Sequence, residues 1–154
     1  MIVWRIAKQR YALDRQGAGG LREGGRWHPI GQPVIYAGLT VEIATLEKLA
    51  HTGSHLPADL FLVAITVPDD AALYLRYTSA ATLPAGWDSI PPGNASADFG
   101  AAFLKTGQAL GLIVPSAIVP EALNIVINPL HPEFSGARIE IRRPFKFDQR
   151  LGSK

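Results

Sequence analysis

Four side chains of this sequence have types and spacing that could do chemistry together: Arg26, Tyr36, Glu47 and Ser116. Arg26 follows Gly24-Gly25, a pair that lets the backbone bend sharply or lets a ligand approach closely, so the planar donor fork of the guanidinium is free to meet a phosphate or carboxylate. Tyr36 lies in the apolar run Val34-Ile35-Tyr36-Ala37 and brings an aromatic face with a hydroxyl at its tip. Glu47 supplies a carboxylate from a helical pattern. Ser116 stands beside an apolar strand and ahead of the proline-containing stretch Asn128-Pro129-Leu130-His131-Pro132. The plain alternatives are a tyrosine of the core and a serine of a turn.

The helical pattern that carries Glu47 starts at a Thr40 cap and runs to about His51, with Gly53 as its stop. At 100° per residue the apolar arc runs from Leu49 through Leu46, Ala50 and Ile43 to Ala44, with Lys48, Thr45 and Glu42 opposite. Glu47 projects between Ile43 and Ala44, inside that arc. A carboxylate there must be paired, hydrogen-bonded or functional, because burying it alone is costly. The structural alternative to a catalytic role is a core salt bridge to Arg5 or Arg26.

His51 and His55 continue the row at i+4 and i+8, which raises a metal site. Gly53 ends the helix before His55, and a helical pair with a glutamate beside its first histidine is absent, so no metal is expected. His28 and His131 neighbour prolines in loops and read as structural groups or peripheral ligand contacts. No nucleophile elbow, Walker A loop or dinucleotide fingerprint occurs, and Gly17-Ala18-Gly19-Gly20 reads as a flexible loop.

The elements that must position these groups are mainly strands. Candidates are 2–6, 34–37, 60–67, 73–76, 113–119, 124–128 and 138–142, against a second helix from about Ser96 to about Leu110 with Gly111 as its stop. Leu83 to Asn94, with four prolines and glycines beside Pro84, reads as a long surface loop. Strands outnumber helices without alternating with them, which predicts an α+β domain with a mixed sheet, a single unit over 1–154.

At 154 residues and 47% hydrophobic content, that unit can bury a core without staples. The lack of cysteine excludes disulfides, thiolate metal sites and cysteine nucleophiles, and fits a reducing, cytoplasmic setting. Charge interrupts the N-terminal run too early for a signal peptide, and no run approaches membrane-spanning length. Fifteen basic against 13 acidic residues leave a charge of +2, weak grounds for nucleic-acid binding. Arg138, Arg142, Arg143, Lys146, Arg150 and Lys154 gather near the C-terminus, but their interleaving with Ile139, Ile141, Phe145 and Phe147 is that of a half-buried strand with one solvated face.

On these motifs the chain resembles the RES domain family, toxins of bacterial toxin–antitoxin systems named for an arginine, a glutamate and a serine. Gly-Gly-Arg-Trp at 24–27 is similar to the family's arginine loop, Val-Ile-Tyr-Ala at 34–37 to its tyrosine strand, Ala44-Thr45-Leu46-Glu47 to its glutamate helix, and Val-Pro-Ser-Ala at 114–117 to its serine segment. The spacings of 10 positions from Arg26 to Tyr36 and 11 from Tyr36 to Glu47 match as well, and the likeness extends over nearly the whole chain. His28 departs from it, since family members often carry asparagine there.

The resemblance implies a fold like that of ADP-ribosyltransferase toxins and cleavage of NAD⁺ at the nicotinamide–ribose bond, with loss of cellular NAD. NAD is then substrate, with no separate cofactor. Glu47 would stabilise the oxocarbenium-like state, and Arg26 would hold the pyrophosphate or ribose, with Trp27 and His28 beside it. Tyr36 would meet the nicotinamide ring or the ribose, and Ser116 would bind the ribose or hold Glu47. The implied partner is a cognate helix-turn-helix antitoxin whose C-terminal part covers the site, with nucleic acid reached only through it. A homodimer and a toxin–antitoxin hetero-oligomer both remain open. An ADP-ribosyltransferase acting on a protein and a catalytically inactive antitoxin-binding partner are the alternatives.

Overall fold

Period-two alternation in the apolar runs puts successive side chains on opposite faces of a sheet, and both faces of this one are covered. The computed structural model describes residues 1–53 and 55–152, so Lys154 lies outside the described residues. Its elements are β1 (Ile2–Lys8), α1 (Ala18–Arg22), β2 (Ile35–Gly38), α2 (Val41–Ala50), β3 (Leu60–Thr66), β4 (Tyr74–Arg76), α3 (Asn94–Thr106), β5 (Gly111–Pro115), β6 (Leu123–Ile127) and β7 (Arg138–Phe145), with short 3-10 turns between. The strands form one mixed sheet in the order β4-β5-β6-β2-β1-β3-β7. Every pairing is antiparallel except β4 with β5. This is the expected α+β architecture.

On one face Val3, Ile35, Val63, Ile65, Ile113, Ile125 and Ile127 close a core with Ala12 and Phe134. The other face carries two separate apolar floors. One gathers Leu112, Val114 and Val126 with Trp27, Trp87 and Phe103 of α3, and the other gathers Ile6, Leu60 and Leu62 with Phe145, Val41 and Leu49 of α2. At the edge of the first floor that faces the second lie Tyr36 on β2 and Asn124 on β6.

Two close approaches set the helices on this face. A Cβ at Gly38 would lie 2.6 Å from Ile43 Cγ2 and 2.8 Å from the Ala44 nitrogen, so α2 rests directly on the sheet where β2 has no side chain. A Cβ at Gly100 would lie 1.9 Å from the Trp27 carbonyl oxygen, so α3 presses on the backbone that carries Arg26. The Thr40 hydroxyl caps α2 by accepting from the Ile43 nitrogen.

Several expectations are corrected. The second helix spans Asn94–Thr106, and Gly107, at φ 61°, ends it in the left-handed conformation that glycine adopts cheaply. Gly111 instead pairs with Tyr74 and Ile127 within the sheet. Gly17 to Gly20 is not a loose loop. The Asp14 carboxylate accepts from the Gln16 and Ala18 nitrogens, opening α1, and the Gly20 carbonyl accepts from the Gly31 nitrogen. The stretch from Leu83 to Asn94 lies on the surface only in part, because Leu83 and Trp87 are buried in the core beneath α3. The expected parity of the last strand also fails, because Leu62 pairs with Arg143 while Val63 pairs with Ile141. This bulge moves Phe145 to the face opposite Ile139.

Candidate active site

Glu47 stands inside the buried arc of α2, between Ile43 and Ala44 as the helical geometry predicts, and is half-buried. The arc is rotated from expectation: Leu46 is 37% exposed and Ala50 is also exposed, whereas Lys48 is half-covered. The cause is the seat on Gly38, which turns α2 about its Ile43–Ala44 edge. Burial and the neighbouring Lys8 hold the Lys48 amine below its ordinary value, Asp59 opposing.

Among the described residues no arginine pairs with Glu47. Arg5 Nη2 donates to the Tyr11 and Ala12 carbonyls, and Arg26 Nη1 to the Trp87 and Ser89 carbonyls at 2.7 and 3.0 Å, so the core salt bridge is not formed. Instead Glu47 Oε1 accepts from Ser116 Oγ at 2.8 Å and from Asn124 Nδ2. Both donors meet one oxygen. Among the described residues Oε2 accepts no hydrogen bond, so the carboxylate keeps one oxygen for a ligand.

Ser116 is fully buried, one residue past the end of β5. Its Oγ accepts from the Ile118 and Val119 nitrogens at 3.0 and 3.3 Å, which occupies the lone pairs and leaves the hydroxyl proton to Glu47. Of the two roles open to Ser116, the geometry forms the one that holds Glu47.

Tyr36 and His28 form a second connected unit. His28 Nε2 lies 3.0 Å from the Glu23 carbonyl, an acceptor only, so that nitrogen carries the proton and Nδ1 accepts from the Tyr36 hydroxyl at 2.7 Å. The same hydroxyl accepts from the Trp27 nitrogen at 3.1 Å. Its one proton is therefore committed, and the ring is what Tyr36 can offer a ligand. Burial pushes the Tyr36 phenol well above its usual range, against the opposing pull of its bond to the Trp27 backbone and of the nearby Arg26 charge.

His28, 4% exposed, has its imidazole held below its ordinary value mainly by burial, with the Glu23 bond opposing. The unfolded imidazole takes up a proton near pH 6.5 and the folded one only at lower pH, so acidification below about 6.5 favours the unfolded chain. The melting temperature of the parent should therefore fall more between about pH 7.5 and 5 than that of His28→Asn, by calorimetry at matched salt. Parallel slopes would remove His28 from the acid sensitivity.

Trp27 is 3% exposed, its ring stacked on Trp87 at 5.9 Å with an interplanar angle of 20° and edge-on to Phe99. Its indole belongs to the core, and its part in the site is to carry Arg26. The Nη1 bonds tie Arg26 to the strap at Trp87 and Ser89, leaving Nε and Nη2 as a two-donor edge.

Register joins the two units. Tyr36 faces Val126 and Gly38 faces Asn124 across β2 and β6, so Tyr36 and Asn124 are diagonal neighbours on one face, a separation of about 7–8 Å. Sequence reasoning read Asn124 only as the start of a strand. The available signal was its phase, two residues before Val126 and so on the same face. It also missed Trp87 and Ser89, whose contribution is a backbone carbonyl that any residue could supply. His51 Nδ1 lies 2.7 Å from the carbonyl of Glu47 in its own helix, and His131 caps the turn at Pro132–Gly136. Hollows of about 420 and 530 Å³ open around Lys8 to Asp14 and carry none of these groups. No helix among the described residues is long and apolar enough to cross a membrane.

The RES domain model matches residues 2–148. A protein of Sphingobium sp. named as a Prs ADP-ribosylating toxin is 38% identical over 152 residues, covering 96% of this chain and 94% of its own. A protein of Pseudomonas putida named Toxin Res is 40% identical over 157 residues, covering 98% and 99%, and another of that name from Photorhabdus laumondii is 34% identical over 154. In solved structures, the crystal structure of the M. tuberculosis MbcT–MbcA toxin–antitoxin complex contains a chain that superposes with a TM-score of 0.66 at 21% identity, covering 98% of this chain and 88% of that one. That likeness is one of fold.

Proposed function

The chain belongs to the RES domain family, and from that premise we propose that it is the toxin of a toxin–antitoxin system, cleaving NAD⁺ at the nicotinamide–ribose bond and passing the ADP-ribosyl group to water or inorganic phosphate. The observation that carries this reading is a carboxylate braced on one oxygen only, Glu47, held over the sheet face that also carries the Tyr36 ring, which itself lies near the charge of the tethered Arg26.

In the proposed step the bond between the pyridinium nitrogen and the ribose C1′ breaks, and its electron pair leaves with neutral nicotinamide. Positive charge grows on C1′ and the ring oxygen. A fixed carboxylate within reach lowers the energy of that state more than that of the ground state, where the charge lies on the pyridinium ring. Water or phosphate oxygen then bonds to C1′, and water gives up a proton to solvent. Arg26 presents Nε and Nη2 to the pyrophosphate, and the Tyr36 ring lies against the nicotinamide. No metal enters this scheme. The antitoxin partner rests on family membership and on the solved relative being a toxin–antitoxin complex.

A second reading, transfer to a protein, is favoured by the name of the Sphingobium relative, an ADP-ribosylating toxin. Mass spectrometry of the products made from NAD⁺ by purified protein, with and without phosphate and with and without EDTA, separates the readings. Free ADP-ribose, or its phosphate ester when phosphate is present, is expected, with EDTA without effect. Nicotinamide release only when a protein acceptor is added would select transfer. No consumption of NAD⁺ under any of these conditions would overturn the proposal.

A further inference from the structure

We propose that Asn124 is a positioning residue of this centre, its carboxamide clamping Glu47 Oε1 together with Ser116 so that Oε2 is aimed at the reacting carbon; this rests on the proposed NAD⁺-cleaving role of Glu47.

Asn124 sits inside β6, paired with Gly38 of β2 on one side and Val114 of β5 on the other. A strand held by backbone ladders on both edges fixes where its side chain points far better than a loop does. Asparagine is disfavoured in strands, and the residues that follow it, Ile125, Val126 and Ile127, are all fully buried apolar groups. The contact formed by Asn124 in return is the donor bond from Nδ2 to Glu47. A glutamate on a helix is otherwise free about three side-chain bonds, and ordering it costs entropy. Ser116 alone would leave rotation about the Oγ contact. A second donor, reaching the same oxygen from another strand, removes that freedom. Gly38 completes the arrangement, because its missing side chain lets α2 come down until Glu47 reaches Asn124.

The test compares the parent with Asn124→Leu, similar in size but without a donor, and Asn124→Asp, similar in shape with the donor replaced by a carboxylate. Steady-state NAD⁺ consumption is measured with the folded fraction fixed by circular dichroism. With one of the two donors that fix Oε1 removed, kcat should fall about tenfold or more in Asn124→Leu. KM should stay within about threefold, and Asn124→Asp should be slower than Asn124→Leu at pH 8 because two carboxylates then face each other. A kcat within about twofold of the parent in Asn124→Leu, an Asn124→Asp as active as the parent, or a loss carried by KM would overturn the inference.

A readout without turnover separates this from the function itself. In a ¹⁵N-edited spectrum of the parent, one Asn124 side-chain amide proton should lie downfield and return toward the ordinary position in Glu47→Ala. An ordinary position in the parent overturns the clamp. A downfield amide in a parent that leaves NAD⁺ intact overturns the proposed function while the clamp stands.

Discussion

Glu47→Gln should lower NAD⁺ turnover by at least about a hundredfold while leaving the protein folded, in line with the loss of one preorganised electrostatic group. The two halves of this expectation come from the two carboxylate oxygens. Oε1 accepts from Ser116 Oγ and Asn124 Nδ2, and a carboxamide oxygen can accept the same pair, so unfolding stability should stay within about 1–2 kcal/mol of the parent. Oε2 accepts nothing among the described residues, and the glutamine amide would put a neutral donor where charge is needed. Binding of NAD⁺ should change much less than kcat, because the positive charge on the ribose exists only as the bond breaks. Thermal melts, kcat and a direct affinity measurement on the same preparation separate these terms. A variant that unfolds yet turns over normally in its folded fraction would return Glu47 to a purely structural role.

Arg26→Ala should lower kcat/KM by about 10- to 100-fold, the loss of charge-assisted hydrogen bonds to an anion, and Arg26→Lys should not recover it. The reason is a division of labour within one guanidinium. Nη1 serves the strap through the Trp87 and Ser89 carbonyls, and the opposite edge of the fork remains for the substrate. An ammonium has its donors on one atom at the end of a flexible stem. If it bonds the strap it cannot also reach the ligand in a fixed plane, and if it reaches the ligand the strap loses its tether. The loss should appear mainly in KM, since the pyrophosphate is charged before and after the bond breaks. Recovery of kcat/KM by lysine to within about threefold of the parent would show that charge alone is enough and that the fork geometry is irrelevant.

Much of this fold is legible in the sequence alone. Each of the seven expected strands has a counterpart, because apolar runs of strand length leave a local trace in the sequence, but the one expected at 113–119 lies at Gly111–Pro115, where Pro115 ends it and Ser116 to Val119 turn about the Ser116 hydroxyl. Thr40 caps α2 for a similar local reason, since a hydroxyl there meets an unpaired nitrogen three residues on. Glu47 falls on the buried side of its helix, as the angle between Ile43 and Ala44 requires. Family membership was readable too, in the residue types and spacings of Arg26, Tyr36, Glu47 and Ser116.

What the sequence could not contain were relations between segments far apart in the chain. The sequence points to Gly111 as the stop of the second helix, whereas Gly107 ends it and Gly111 pairs with Tyr74 and Ile127 in the sheet, a contact that no local pattern records. The bulge in β7 depends on how β3 and β7 lie together, which periodicity along one strand cannot register. The same holds at the site. Ser116 could have faced a ligand, and it faces Glu47 because two backbone nitrogens take its lone pairs. Tyr36 could have offered a proton, and it does not because His28, held by Glu23, has claimed it. The phase of Asn124 gives its face of the sheet, but nothing in a lone asparagine before an apolar run says that a helix 77 residues earlier will set a carboxylate beside it. Residue types and spacing determine which chemistry is available and which elements carry it. Which lone pair and which proton stay free for a substrate is settled by neighbours that only folding brings within hydrogen-bond reach, because that bonding acts across about 3 Å of space and not along the chain.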